Sequence, residues 1–409
     1  MAYAAPAHAQ TSPHTQTSPR TRVAGTLVSA TLLQRLSAAS VRSELAAARL
    51  APGAPALGAG AVRYGVVAYR VTYRTVNAAG QPVLASGLVA FPGSGTGKGT
   101  GPAALPVVSY DHGTTATSAD TPSSFGLGPD HAVEGRWSAE LFASAGFAVT
   151  EPDYVGMGSG TGPIEYLVAK SEATASADLL LAARALAGEH GDTLQRGVLV
   201  TGFSQGGSAA MALGRELQQG GQYFRLRALA PVSGPYNLLS AELPGLFNGQ
   251  VAAAVAPYYV GYTLTTWNPL YHLFATPAGA FQAPYANEVT GLFDGSHQDA
   301  AIAAALPVSL TKLLTPQVLA QLQHPHGQFL RAFQANDTCT GWTPQVPVRL
   351  YAASGDTTVT QVNAQQCARA IRARGGSVQL IQLGQVGHDT SDFVALPQIV
   401  RWFSELSQN

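Results

Sequence analysis

The residues Gly202-Phe203-Ser204-Gln205-Gly206 set one serine between two glycines, after an apolar run Val198-Leu199-Val200 and ahead of a row of small residues. A serine on a sharp strand-to-helix turn is strained and pushed out of the sheet, where its hydroxyl can meet a substrate. Gly202 and Gly206 remove side chains that would collide where strand and helix cross. Gly207, Ala209 and Ala210 let the helix lie close to the sheet. The helix N-terminus beneath the serine favours developing negative charge. In a chain with 44 glycines, a bare Gly-x-Ser-x-Gly arises by chance about 0.3 times. The strand before it and the helix pattern after it carry the weight.

A serine hydroxyl is a poor nucleophile until a base takes its proton, and the base needs an orienting carboxylate. On a sheet of this kind the order along the chain is Ser, acid, His. Asp356 follows the apolar run "VRLYAASG", and His388 follows "VQLIQLGQVG". Each stands just past the carboxyl end of an expected strand, on the same sheet edge as Ser204. Asp389 is a rival acid but adjoins the histidine too closely in sequence to reach around the imidazole. Asp153, in "EPDYVGMG", precedes the serine and is expected to shape its own loop through turn hydrogen bonds. The oxyanion of a tetrahedral intermediate needs N–H donors. Gln205, next after the nucleophile, supplies one. The other is expected from Thr114 or Gly113 in "VVSYDHGTT", with His112 in a structural role.

These side chains need a frame. Short apolar runs at 105–110, 146–154, 197–202, 227–234, 348–356 and 378–384 alternate with helical patterns, notably 172–190 and 205–219. Continuously apolar strands alternating with helices imply a mostly parallel sheet covered on both faces, an α/β fold. Ahead of it, 64–91 reads as an antiparallel hairpin turning at "NAAGQP", and 30–50 has helical apolar spacing. Residues 236–346 break the alternation with aromatic, Pro-interrupted pieces and a Thr315-Pro316 helix start. The expected organisation is a flexible tail (1–25), a core (26–235 and 347–409) and an inserted helical cap (236–346). Tyr258, Tyr259, Tyr262, Trp267, Leu270, Tyr271, Leu273 and Phe274 crowd one stretch of that insertion, as the cap's own core or as the wall of an apolar pocket.

Charged residues are 11% of the chain, hydrophobic residues 46%, and the formal net charge is zero. That balance points to neither nucleic acid nor an anionic membrane surface. No apolar run reaches the roughly 18 residues of a spanning helix, so stable membrane insertion is not expected. Ala7-His8-Ala9 before Gln10 resembles the end of a secretory signal, without the charged and apolar segments that precede such a site. Cys339 and Cys367 are the only cysteines. A disulfide between them would suit an exported protein, in the periplasm or outside the cell, and would tie the cap's return to the helix after Asp356, whereas two unrelated buried thiols would suit a cytosolic one. "GSGTGKGTG" mimics a phosphate loop, but Gly99 follows Lys98 and no helix pattern comes next. No nucleotide, flavin or metal motif stands out, and no cofactor is expected.

Together, "YRTVNAAGQPVLASGLVAFP", "YDHGTT", "GFAVTEPDYVGMG", "GFSQGG", "SGPYNL" and "GDTTV…GHD" resemble the α/β-hydrolase superfamily, and within it the secretory lipases and esterases, from about residue 60 to the end. The resemblance implies hydrolysis of a small-molecule or lipid carboxylic ester, with Ser204, Asp356 and His388 as triad and the cap over an acyl pocket. A serine peptidase or an acyltransferase would use the same triad; the lack of an acidic cluster in the cap, which would hold a peptide amino terminus, favours esters. An inactive binding protein on this fold is the reading of a different class, and the complete triad argues against it. Oligomeric state is left open.

Overall fold

The frame begins with strands whose β-branched and aromatic residues suit a pleated, buried surface. The computed structural model describes residues 24–49, 57–58, 60–93, 104–126, 134–221 and 223–408. Residues 1–23 of the expected tail, and all but Gly93 of the glycine-rich 93–101 stretch, lie outside the described residues. Strands β1 (Leu27–Leu36), β2 (Gly65–Val76), β3 (Pro82–Gly93), β4 (Leu105–Asp111), β5 (Ala148–Pro152), β6 (Leu194–Phe203), β7 (Arg225–Val232), β8 (Val348–Ala352) and β9 (Val378–Gln382) form one sheet. Among the described residues its order is β1-β2-β3-β5-β4-β6-β7-β8-β9. The first three strands and the β3–β5 pair are antiparallel; every pairing from β5 through β4 to β9 is parallel.

The expected helix at 30–50 is corrected at its start. Residues 27–36 form β1, pairing antiparallel with β2, and the helix α1 runs only over Ala38–Ala47. "LVSATLLQRL" has apolar residues at both helical and strand spacing, and an open sheet edge on β2 decides between them. Ser37 marks the switch: its hydroxyl accepts the Ser40 N–H at 3.0 Å, an N-cap that starts α1.

Helices cover both faces. On one side α3 (Ala169–Glu189), α4 (Gln205–Gln219) and α13 (Val362–Ala373) pack on the sheet, burying Leu179, Leu213 and Ile371. On the other, α1, α2 (Glu134–Ser144) and α14 (His388–Gln408) bury Leu45, Phe142 and Phe403. Each such fully buried side chain contributes about 1.5–3 kcal/mol, before entropy is counted.

Between β7 and β8 the chain leaves the sheet. It forms a π-helical turn at Leu238–Glu242 and the helices α5 (Leu243–Asn248), α6 (Ala256–Tyr271), α7 (Pro277–Ala280), α8 (Val289–Leu292), α9 (Asp299–Ala305), α10 (Leu310–Leu313), α11 (Pro316–Gln323) and α12 (Gly327–Ala335). These helices have an apolar cluster of their own, including Trp267, Phe281, Leu313 and Phe333. The two ends of the excursion meet: the Thr338 N–H donates to Tyr236 O at 3.1 Å and the Leu238 N–H to Asp337 Oδ1 at 3.1 Å. Both ends are also fastened to α13. Asn237 donates its backbone and side-chain N–H groups to Asn363 at 3.1 and 3.0 Å, and one helical turn further on a disulfide joins Cys339 to Cys367. No helix of the described residues is long and apolar enough to cross a membrane.

Candidate active site

Three strands end at one edge of the sheet and deliver three side chains to one point. Ser204 leaves β6 with φ 55° and ψ −119°, a left-handed conformation a serine adopts only under constraint. The constraint is packing. A Cβ on Gly206 would stand 1.8 Å from Asp111 O, and one on Gly202 would stand 2.3 Å from Gly206 O. Bare backbone at both positions is what allows the end of β4 to touch the start of α4.

His388, the first residue of α14, places Nε2 2.8 Å from Ser204 Oγ. Its Nδ1 lies 2.7 Å from Asp356 Oδ2. The other oxygen of Asp356 accepts the N–H groups of Thr358 and Val359, each at 2.9 Å, which locks the carboxylate toward the imidazole. A carboxylate can only accept, so Nδ1 carries the proton and Nε2 presents a lone pair to the serine hydroxyl. Phe203 packs its ring against the imidazole, with centroids 4.7 Å apart. All three side chains are largely withdrawn from solvent.

Asp389 makes no such contact with His388. Asp153 does more than shape its own loop, which corrects the sequence expectation. Its Oδ1 accepts the Ser123 N–H at 2.9 Å and its Oδ2 accepts the Ser86 hydroxyl at 2.6 Å, so it binds two other segments together. The sequence distance between these partners hid that role.

The loop after β4 stands beside Ser204. The Gly113 N–H is already committed to Glu134 Oε1 at 2.8 Å and is not free to meet an oxyanion, which corrects the expectation for Gly113. Thr114 Oγ1 lies 3.0 Å from the Tyr166 hydroxyl. His112 is buried, stacked on Tyr154 with centroids 4.5 Å apart, and gives its Nδ1–H to Gly113 O at 2.7 Å. Burial pushes its pKa down to about 4, so it is neutral.

Buried acids crowd behind these loops, and sequence reading did not single them out. Tyr110 stands 2.8 Å from Glu134 Oε1 and 3.0 Å from Asp392 Oδ2. One phenolic proton cannot serve two carboxylates, so one acid keeps its own proton. Burial, reinforced by the charge of Glu134, holds Asp392 well above the usual range. Asp111 accepts the Ser176 hydroxyl at 2.7 Å and is pushed up to about 7 by burial. Glu172 accepts the Gln205 side-chain N–H at 2.7 Å and is pushed up to about 8, again by burial. No local pattern announces these groups, because only tertiary packing removes them from water.

A cavity of about 90 Å³ opens at Ser204 and Gln205 and runs under the inserted helices. Leu243, Leu246, Tyr259, Val260, Leu264, Trp267, Leu322 and Phe333 form its apolar wall. The aromatic run of the sequence is thus divided. Tyr259 and Trp267 face the cavity, whereas Tyr262 stacks between Tyr166 and Phe293, and Leu270, Tyr271, Leu273 and Phe274 pack on the insertion's own core. One carboxyl lines the cavity: Glu242, whose Oε2 accepts the Asn363 side-chain N–H at 2.6 Å. Burial pushes it up to about 8. Among the described residues no cluster of His, Cys, Asp and Glu has the form of a metal site.

The chain has the α/β-hydrolase fold, and solved structures of that fold include esterases and lipases. The rice cell wall degrading esterase LipA of Xanthomonas oryzae is 25% identical, with a TM-score of 0.79 over 94% of this chain and 98% of its own. A Legionella pneumophila protein assigned as a hydrolase is 21% identical, with a TM-score of 0.82 over 94% and 98%. Candida antarctica lipase A in its closed state is 14% identical, with a TM-score of 0.65 over 92% and 80%. No family model and no curated relative matches the sequence.

Proposed function

We propose that this protein is a serine hydrolase of carboxylic esters that works through an acyl-enzyme on Ser204. The single observation that carries the reading is the unbroken chain Ser204 Oγ–His388 Nε2 and His388 Nδ1–Asp356 Oδ2, at 2.8 and 2.7 Å, opening on an apolar cavity. Ser204 Oγ attacks the ester carbonyl while His388 Nε2 takes its proton. Asp356 stabilises the imidazolium without itself becoming protonated. The N–H groups of Gln205 and Thr114 hold the oxyanion. As the tetrahedral intermediate collapses, the C–O bond to the alcohol breaks and His388 returns the proton to the leaving oxygen. Water, deprotonated by the same nitrogen, then releases the acid and restores Ser204.

In this reading residues 236–346 act as a cap, and its wall of Leu, Val, Tyr and Trp side chains receives the acyl chain. The esterase and lipase neighbours support ester over amide chemistry. Each added methylene that leaves water contributes about 0.8 kcal/mol, so kcat/KM is expected to rise from acetyl to at least butyryl or hexanoyl nitrophenyl esters. Peptide amides should turn over far more slowly. The disulfide supports an exported protein, since such bonds persist in oxidising compartments. A fluorophosphonate that labels the wild-type chain at Ser204, together with the ester series, tests the proposal. Labelling elsewhere, or none, would remove the nucleophile; steady decline from acetyl upward would remove the acyl-pocket role of the cap.

A further inference from the structure

The two oxyanion donors of this reading sit on separate segments, Thr114 in the loop after β4 and Gln205 at the start of α4, and each segment is held by a glutamate that touches no reacting atom. Glu134, the first residue of α2, accepts the Gly113 N–H on Oε1 at 2.8 Å. The same oxygen takes the Tyr110 hydroxyl at 2.8 Å, which fixes the carboxylate against the end of β4. The Gly113 N–H lies one peptide before the Thr114 N–H. With the first pinned and Gly113 wedged between Phe203 and Glu134, the direction of the second is set by one residue's backbone angles. A Cβ on Gly113 would meet Phe203 Cδ1 at 3.0 Å and Glu134 Oε2 at 3.2 Å, so the loop has little room to turn. On the opposite side, Glu172 of α3 accepts the Gln205 Nε2–H at 2.7 Å. Gln205 is the residue whose own backbone N–H is the other donor. Its side chain is therefore turned away from the serine and bonded to a helix packed on the core.

We propose that Glu134 and Glu172 are the positioning residues of the oxyanion hole, one for each donor; the proposal rests on Ser204 being the nucleophile. Neither glutamate transfers a proton in the reaction. Each supplies an acceptor at a fixed point and leaves a backbone N–H aimed where the carbonyl oxygen becomes negative. Burial makes the constraint stiff, because a freed Gly113 N–H or Gln205 amide would find no water to replace its partner. An amide oxygen at the same place would accept the same bonds, so acceptor position and not charge is what the site requires.

The test uses the purified full chain carrying E134A, E134Q, E134D, E172A, E172Q or E172D. Active sites are counted by stoichiometric nitrophenolate release from a nitrophenyl phosphonate, run to completion. Turnover of nitrophenyl butyrate is then expressed per counted site. A donor displaced by about 1 Å costs on the order of 10²-fold, so each alanine variant is expected to lose about 10- to 100-fold in kcat, with KM changed by less than about 2-fold. The glutamine variants should stay within about 3-fold of wild type. The aspartate variants, one methylene short, should fall in between, and they keep the proposal testable where an alanine variant does not fold. Wild-type kcat per counted site in the alanine or aspartate variants overturns the proposal, as does a loss confined to KM. A glutamine variant as impaired as its alanine counterpart overturns it too, since charge would then be the requirement. A wild-type chain that is not labelled at Ser204 overturns the parent reading instead, and that result is seen before any variant is made.

Discussion

Gly206→Ala perturbs the closest contact in the site by a single methyl. The new Cβ would lie 1.8 Å from Asp111 O, 2.3 Å from Asp111 C and 2.6 Å from His112 O, where real Cβ contacts stay at or beyond 3.0 Å. The shortfall at Asp111 O is 3.0 − 1.8 = 1.2 Å. All three atoms are backbone at the end of β4 and the first residue of the loop after it, so no side chain can rotate away. Either α4 retreats from the sheet or the loop bearing His112, Gly113 and Thr114 is driven outward. Both motions alter the 2.8 Å spacing of Ser204 and His388, or separate the two N–H groups proposed to hold the oxyanion. Overpacking of this kind costs about 1–3 kcal/mol of stability. A displacement near 1 Å at reacting groups costs on the order of 10²-fold in rate. The expected G206A protein is therefore folded, less stable, and about 100-fold slower in kcat/KM per titrated site on nitrophenyl butyrate. Gly387→Ala is the control: it adjoins His388, yet a Cβ there meets nothing within 4 Å. It should act within about 2-fold of wild type. A G206A protein with wild-type melting temperature and activity would refute the packing argument, and equal losses in G206A and G387A would show that crowding at β4 is not the cause.

Ser204→Ala should lower turnover by roughly 10⁴- to 10⁶-fold and Asp356→Asn by about 10⁴-fold. Asp153→Asn should instead lower the melting temperature while kcat per titrated site stays near wild type; the reverse ranking of the two aspartates would move the triad acid. Glu242 has its folded pKa raised from 4.5 to about 8, so between those values the folded protein keeps a proton that the unfolded chain has released. Its contribution to stability is present below about 4.5 and is lost as the pH rises through about 8. The melting-temperature advantage of Glu242→Gln over wild type should thus grow from pH 5 to pH 8; a constant difference would count against a buried neutral acid. Reduction of the Cys339–Cys367 bond, which spans 28 residues, should cost about 3.5 kcal/mol in the chain-entropy model. Urea unfolding with and without reductant measures it, and two free thiols in denatured, unreduced protein would contradict the bond itself.

The sequence by itself determined the elements whose signal is local. Strand–helix alternation, the hairpin at 64–91 and the small residues around Ser204 follow from side-chain shape over a few neighbouring positions, and they mark out a sheet with a serine at its edge. The order of Ser204, Asp356 and His388, each after an apolar run, was equally readable, because strand ends in a parallel sheet share one side. Other features were decided only in three dimensions. Residues 27–36 could satisfy either a helix or a strand, and the free edge of β2 settled the matter. Gly113 and Thr114 were equivalent as donors until Glu134, 21 positions away in the chain, took one of the two N–H groups. The same holds for Glu134, Glu172, Asp392 and Glu242: a carboxyl in a sequence is a solvated charge by default. Only the packing of helices from distant stretches turns it into a buried acceptor or a neutral acid. The division of the aromatic run between cavity wall and core has the same origin, since the face a helix turns to a pocket is fixed by its neighbours and not by its own residues.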